Sequence, residues 1–255
     1  MHLHKASLLT ALVFGSALSA GAAVYSQNFT FANGTNTFPD GSVLTSSSGV
    51  PASVQNNALE LTNVANGSTQ NSFNIPAVAN SSLGFTVSFD LTLIDAPGGN
   101  PPADGLSFNY GAFNSAANYG EEGVGGTSLS WIVDTWDNGG GDRGIRSKIN
   151  GVNDYVNQFA PLADGQTLTT SVSLSWDPTN GASLTIGGLG TLFSNRPTPG
   201  FTGNDGYLFG IGARTGGATE TVLIDNLVIT TVPEASSTLL AGLAGLGLLS
   251  VRRRK

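Results

Sequence analysis

The sequence predicts an all-β sandwich or jelly roll. Three observations carry that expectation: apolar residues alternate with period two in short runs, clusters of Gly, Asn and Pro separate the runs, and helical periodicity is missing throughout. Between its two ends the chain has roughly 210 residues, about Val24 to Val232, which suits one large β domain better than two small ones. With 35 glycines in 255 residues the chain is turn-rich, at about twice average usage. Its strand-like apolar runs distinguish it from a disordered chain.

Taken in order, the first clear strand places Phe85, Val87, Phe89, Leu91 and Leu93 on one face and Thr86, Ser88, Asp90 and Thr92 on the other, a half-buried pattern. A Pro- and Gly-rich turn from Pro97 to Pro102 closes it. Leu106-Phe108-Tyr110 and Leu129-Trp131-Val133 repeat the alternation, and a second turn cluster follows at Asn138 to Gly141. Leu168, Thr170, Val172, Leu174 and Trp176 form the next strand, and the phase of Trp131 and Trp176 with their aliphatic neighbours assigns both to the core. Finally, Thr221 to Thr231 is apolar on both faces apart from Asp225 and Asn226, which suits a late strand returning to the middle of a sheet. Regular short strands with intervening turns give the sandwich or jelly roll.

Both ends of the chain read as addresses. Lys5, an apolar stretch from Ala6 to Leu18 and the small residues Ser19 to Ala23 form a signal peptide over residues 1–23, too short to span and with a small-x-small site at Ala20-Gly21-Ala22. At the other end, residues 232–255 carry Val232-Pro233-Glu234, an uncharged run from Ala235 to Val251, and Arg252-Arg253-Arg254-Lys255. As a helix the run is roughly 25 Å long, marginal against a hydrocarbon core of about 30 Å. Its basic end stays on the cytoplasmic side and leaves the preceding domain outside the inner membrane. The tail resembles the PEP-CTERM sorting signal of bacterial envelope proteins, although Ala235 stands where that motif has its second proline. The resemblance implies an exosortase-type processing enzyme as partner, an inner-membrane anchor through the C-terminal helix, and delivery to the cell surface or beyond. An ordinary C-terminal tail anchor is the alternative.

Composition removes many functions. The segment between the addresses holds five basic residues (Arg143, Arg146, Lys148, Arg196 and Arg214) against sixteen acidic ones, a net charge of about −11, so nucleic acid is not an expected partner. No cysteine is present, so an exported domain must rely on core burial, with or without a metal, and not on disulfides. The histidines, His2 and His4, fall inside the signal peptide. A Ser-His-Asp triad, a Cys-His pair and a histidine-bearing metal site are thereby excluded, leaving carboxylate chemistry and oxygen-ligated metals.

The densest polar cluster lies between Pro101 and Gly151. Ala103-Asp104-Gly105-Leu106-Ser107-Phe108, then Gly125-Gly126, then Val133-Asp134-Thr135-Trp136-Asp137-Asn138-Gly139 resemble the L-type (legume-type) lectin jelly roll of the concanavalin-A-like group. That resemblance implies a concanavalin-A-like β-sandwich over residues 24–231 that binds carbohydrate, with a polysaccharide as partner. It further implies that Asp104 is the sugar-binding aspartate, Gly125 or Gly126 a backbone donor, and Asn138 a residue shared by sugar and calcium. Asp134, Asp142 and the Trp136 carbonyl would complete the calcium site. Calcium takes about 6 to 8 oxygen ligands, and a turn bearing Asp134, Asp137, Asn138 and Asp142 offers several. The alternative for this stretch is a polar hairpin loop whose Asx side chains bond their own backbone, and for Asp104 a turn-stabilising role. Tyr119 and Trp136 are candidate platforms for a sugar ring.

Ile132 stands where such lectins carry a glutamate for a transition metal, and no histidine exists to complete that second site. Retaining glycosidases of the same fold place Glu-x-Asp-x-x-Glu on one strand; here those positions are Ile132, Asp134 and Asp137, so hydrolysis is not expected. The adjacent Glu121 and Glu122 read as turn or rim charges. A structural surface protein with no small ligand is the competing reading.

Overall fold

The computed structural model describes residues 21–95, 100–139 and 143–233. Asp142, Glu234, Arg252, Arg253, Arg254, most of the signal peptide and the C-terminal apolar run lie outside the described residues.

Among the described residues from Ala22 to Val232, strands follow one another with a single 3-10 turn at Ser81–Leu83. In chain order they are β1 (Val24–Gln27), β2 (Val43–Ser48), β3 (Ser53–Gln55), β4 (Ala58–Thr62), β5 (Gln70–Ile75), β6 (Phe85–Ile94), β7 (Gly105–Gly111), β8 (Ser128–Asp134), β9 (Gly144–Ile149), β10 (Val152–Gln158), β11 (Thr167–Asp177), β12 (Gly181–Ile186), β13 (Gly190–Arg196), β14 (Leu208–Arg214) and β15 (Thr221–Thr231). They form two antiparallel sheets. One runs β13-β12-β11-β6-β15-β4-β3, with β1 also paired to β15; the other runs β10-β9-β8-β7-β14-β5-β2. The expected late strand is β15, and it does lie inside its sheet, paired with β6 on one side and with β1 and β4 on the other.

The inner faces supply the core. On β6, Phe85, Val87, Phe89, Leu91 and Leu93 are buried and the alternate residues are exposed or half-buried, as the period-two pattern requires. Phe85 packs edge-on to Tyr110 and Phe209 with ring centroids 4.8 and 4.9 Å apart, and Trp131 and Trp176 join the same cluster. Both tryptophans are buried, in agreement with the sequence reading.

The second sheet departs from the pattern. Strands β7 and β8 are buried on both faces although one face is polar, because residues 112–127 cross over that face as a strap. Polar side chains beneath the strap bond to its backbone. Ser72 donates to the Tyr119 carbonyl (2.7 Å) and accepts its N–H (2.8 Å), Asn74 donates to the Ala117 carbonyl (2.8 Å), and Ser107 donates to the Gly120 carbonyl (2.7 Å). Gly210 and Gly212 on β14 make room for it: a Cβ at Gly210 would lie 1.7 Å from Tyr119 Oη. Tyr119 is therefore buried, donating from Oη to Asn74 Oδ1 (3.0 Å), and is not the sugar platform the sequence suggested.

Candidate functional site

Strands β7 and β8 pair so that Gly105 faces Asp134 across the ladder. This register brings Asp104, just before β7, beside the turn that leaves β8. The Thr135 N–H donates to the Asp104 carbonyl (3.2 Å), and the Asp104 N–H donates to the Arg214 carbonyl at the end of β14 (2.9 Å). The peptide bond between Ala103 and Asp104 is cis. Three segments thus converge at one end of this sheet, and they enclose an open cavity of about 650 Å³. Asp104, Trp136, Asn138 and Arg214 line it, together with residues 215–218. That last segment is pinned by hydrogen bonds from Thr215 N–H to the Thr69 carbonyl (2.8 Å) and from Ser68 N–H to the Gly216 carbonyl (2.9 Å).

Asp104 and, more than thirty positions later in the chain, Trp136 and Asn138 line the same cavity. Gly125 and Gly126 do not join them. They lie against Gly151, in the turn between β9 and β10, near the Gly111 end of β7. Asp104 adjoins the other end of that strand, and its seven residues at about 3.3 Å each put the glycines roughly 20 Å away. The glycines that line the cavity are Gly216 and Gly217.

Two arginines that the sequence reading only counted organise the electrostatics. Arg214 Nε donates to Asp104 Oδ2 (2.8 Å), and its Nη2 lies 2.9 Å from Glu121 Oε1. Glu121 is buried and not a rim charge; burial pushes its carboxyl up to about 7, with Arg214 opposing and Asp104 adding. Burial also raises Asp104 above the ordinary carboxylate range, and Arg214 offsets part of the rise. The second arginine, Arg146 on β9, contacts Asp134 Oδ2 and lies 2.5 Å from Glu122 Oε1, while Lys148 Nζ lies 2.5 Å from Glu122 Oε2. Burial acts against ionised Glu122, but these two cations prevail and hold it below its ordinary value. The in-phase positions of Arg146 with Lys148 and of Gly210 and Gly212 with Arg214 were the available sequence signal.

The turn after β8 bonds to itself as Asx residues do: Asp134 Oδ1 accepts the Trp136 N–H (3.0 Å), and Asp137 Oδ1 accepts the Gly139 N–H (2.8 Å). Both Asp134 oxygens are thus engaged by donors. No three Asp, Glu, His or Cys side chains come together to hold a metal ion among the described residues. Among the described residues, the Arg146 guanidinium is seated on Asp134 Oδ2, an oxygen that the expected calcium site would use.

No family model matches the chain, and no curated protein matches it by sequence. Solved structures do match. The basic winged bean lectin with Tn-antigen superposes with a TM-score of 0.62 at 19% identity, over 84% of this chain and all of that one. Peanut lectin with a nine-residue peptide gives 0.61 at 17% identity over 85% of this chain and all of that one. The acidic winged bean lectin with methyl-α-D-galactose gives 0.58 at 22% over 83% of this chain and all of that one. The described domain has the legume-lectin fold, a two-sheet sandwich of the concanavalin-A-like kind.

Proposed function

We propose that the domain is a non-catalytic carbohydrate-binding module whose sugar site is the Asp104 cavity, carried by an exported, envelope-sorted bacterial protein. The observation that supports this most directly is the convergence of Asp104, Trp136, Asn138 and Arg214 on one open cavity within a lectin fold. Asp104 and Asn138 offer acceptors and a donor for paired hydroxyls, the Gly216-Gly217 backbone offers further polar groups, and Trp136 offers apolar ring surface. Because Asp104 is held by Arg214 and by its own backbone bonds, it presents a fixed acceptor at little ordering cost.

A hydrolytic role is not favoured. Ile132, at the position a glycosidase would fill with its nucleophile, is fully buried, and Asp134 is engaged by Arg146. The calcium-dependent version of this reading needs Asp134, the Trp136 carbonyl, Asn138 and Asp142 to meet on one ion, and the engagement of Asp134 weighs against it. Export and sorting rest on the signal peptide and the PEP-CTERM-like tail, with an exosortase-type enzyme as processing partner and the membrane as a temporary anchor.

Glycan-array retention of the purified protein tests the binding reading. Asp104→Asn and Asn138→Ala should each weaken retention about tenfold or more, since each removes polar contacts to a bound hydroxyl. Retention equal to wild type by both variants would refute the site, and no retention of any glycan by the wild type would leave a structural surface role.

A further inference from the structure

We infer that Arg146 is the resident cation of the Asp134 turn, holding by a fixed guanidinium what a divalent ion would otherwise hold, so that this turn takes no metal. The consequence for sugar binding rests on the function proposed above; the statement about metal does not.

Arg146 and Asp134 are both buried, with side chains 5% and 1% exposed, so their pairing is shielded from solvent. The partners were placed by the ladder. Gly144 of β9 faces Asp134 of β8, and Arg146 faces Ile132, so the Arg146 side chain shares a sheet face with Asp134 and reaches it along the strand. Its guanidinium spans Asp134 Oδ2 and Glu122 Oε1, and Lys148 donates to Glu122 Oε2 (2.5 Å) and to the Glu122 carbonyl (2.9 Å). Among the described residues, Arg146 bridges the two carboxylates and Lys148 adds a second cation on Glu122. A divalent ion at Asp134 would meet the guanidinium on the same carboxylate and would have to displace it, exposing Glu122 and Asp134 to a new imbalance of charge. The planar guanidinium donors match the carboxylate oxygens of Asp134 and Glu122, where calcium would need about 6 to 8 oxygens.

The same contact positions the cavity. With Oδ2 held by Arg146, Asp134 turns Oδ1 to the Trp136 N–H (3.0 Å), and the turn so fixed carries Trp136 and Asn138 to the cavity rim while the next amide, Thr135 N–H, bonds the Asp104 carbonyl (3.2 Å). Arg146 is therefore a positioning residue for the proposed sugar site.

Thermal melts of the full chain in chelator, millimolar calcium and millimolar manganese test the metal statement, with metal content of the purified protein measured alongside. The midpoint is expected to stay the same in all three media and the metal content to be well below one per chain. A rise of about 5 to 10 °C with calcium, which saturation at about 100 times the dissociation constant would give in a domain of this size, overturns the inference. Arg146→Gln should acquire a calcium-dependent rise and lose glycan retention, and Arg146→Lys, which restores the charge, should again be indifferent to calcium. If Arg146→Gln is as indifferent to calcium as the wild type and retains glycan equally well, Arg146 does not have this role. Should the wild type retain no glycan, the function proposed above fails, while the melts and metal content still decide this inference.

Discussion

Glu220 offers the sharpest test of the energetics. It precedes β15, it is fully buried, and both of its carboxylate oxygens lack a hydrogen-bond partner among the described residues. Burial pushes its carboxyl from an ordinary 4.5 up to about 8; the nearby Thr135 hydroxyl opposes the rise, and Asp104, Asp95 and Asp134 add to it. The folded protein therefore holds a proton at neutral pH that the unfolded chain releases. The sign follows: with the folded value above the unfolded one, stability is greatest below pH about 4.5 and is lost as pH rises through about 8. At pH 7 the cost of keeping that proton is about 3 kcal/mol, at roughly 1.4 kcal/mol for each pH interval above the ordinary value. Glu220→Gln keeps the shape and removes the titration, but its amide inherits the missing partners, so a net gain of about 1–2 kcal/mol is expected. For a domain of this size that is a rise of about 3 to 8 °C in Tm at pH 7.5, shrinking to nothing or reversing near pH 4.5. Melts from pH 4.5 to 8.5 would show it, with part of the slope surviving in the variant because Glu121 is also raised, to about 7. A wild-type Tm that climbs from pH 5 to 8, or a variant less stable than wild type at pH 8, would refute the argument.

Two further outcomes follow from the strap and from the tail. Gly210→Ala places a methyl group 1.7 Å from Tyr119 Oη and 3.2 Å from the Phe73 carbonyl, so it should lift residues 112–127 from the sheet. We expect a loss of about 1–3 kcal/mol or more and new protease cleavage within that segment; unchanged melting and cleavage would mean the strap is not fitted to the glycine. For the ends of the chain, intact mass of the protein recovered from the cell surface should lack residues 1–22 or 1–23 and the tail beyond Pro233 or Glu234. Full C-terminal mass would instead favour a permanent anchor.

Much of the fold was legible in the chain because period-two alternation is a local signal. Phe85 to Leu93, Leu106 to Tyr110 and Leu168 to Trp176 each state which side chains face inward, and the structure places them so. The candidate site was legible only where a residue type in a turn carries chemistry: Asp104, Trp136 and Asn138 meet at the cavity. Gly125 and Gly126, which the resemblance grouped with Asp104, lie at the opposite end of β7 from it. The sequence offers Tyr119 as a sugar platform and Glu121 as a rim charge, whereas both are buried within the strap and Ser107 is buried beneath it.

By itself the sequence determined the β class, the lack of cysteine, the acidic balance and the aromatic core, since each depends on composition or on neighbours two residues apart. Only the tertiary structure decided which charges pair. Arg214 reaches Asp104 across 110 positions, and Arg146 reaches Asp134 through the register of β8 and β9. Strand pairing brings together residues whose separation along the chain carries no information about their distance, and at a buried site it is that distance which fixes charge, protonation and the room left for a ligand.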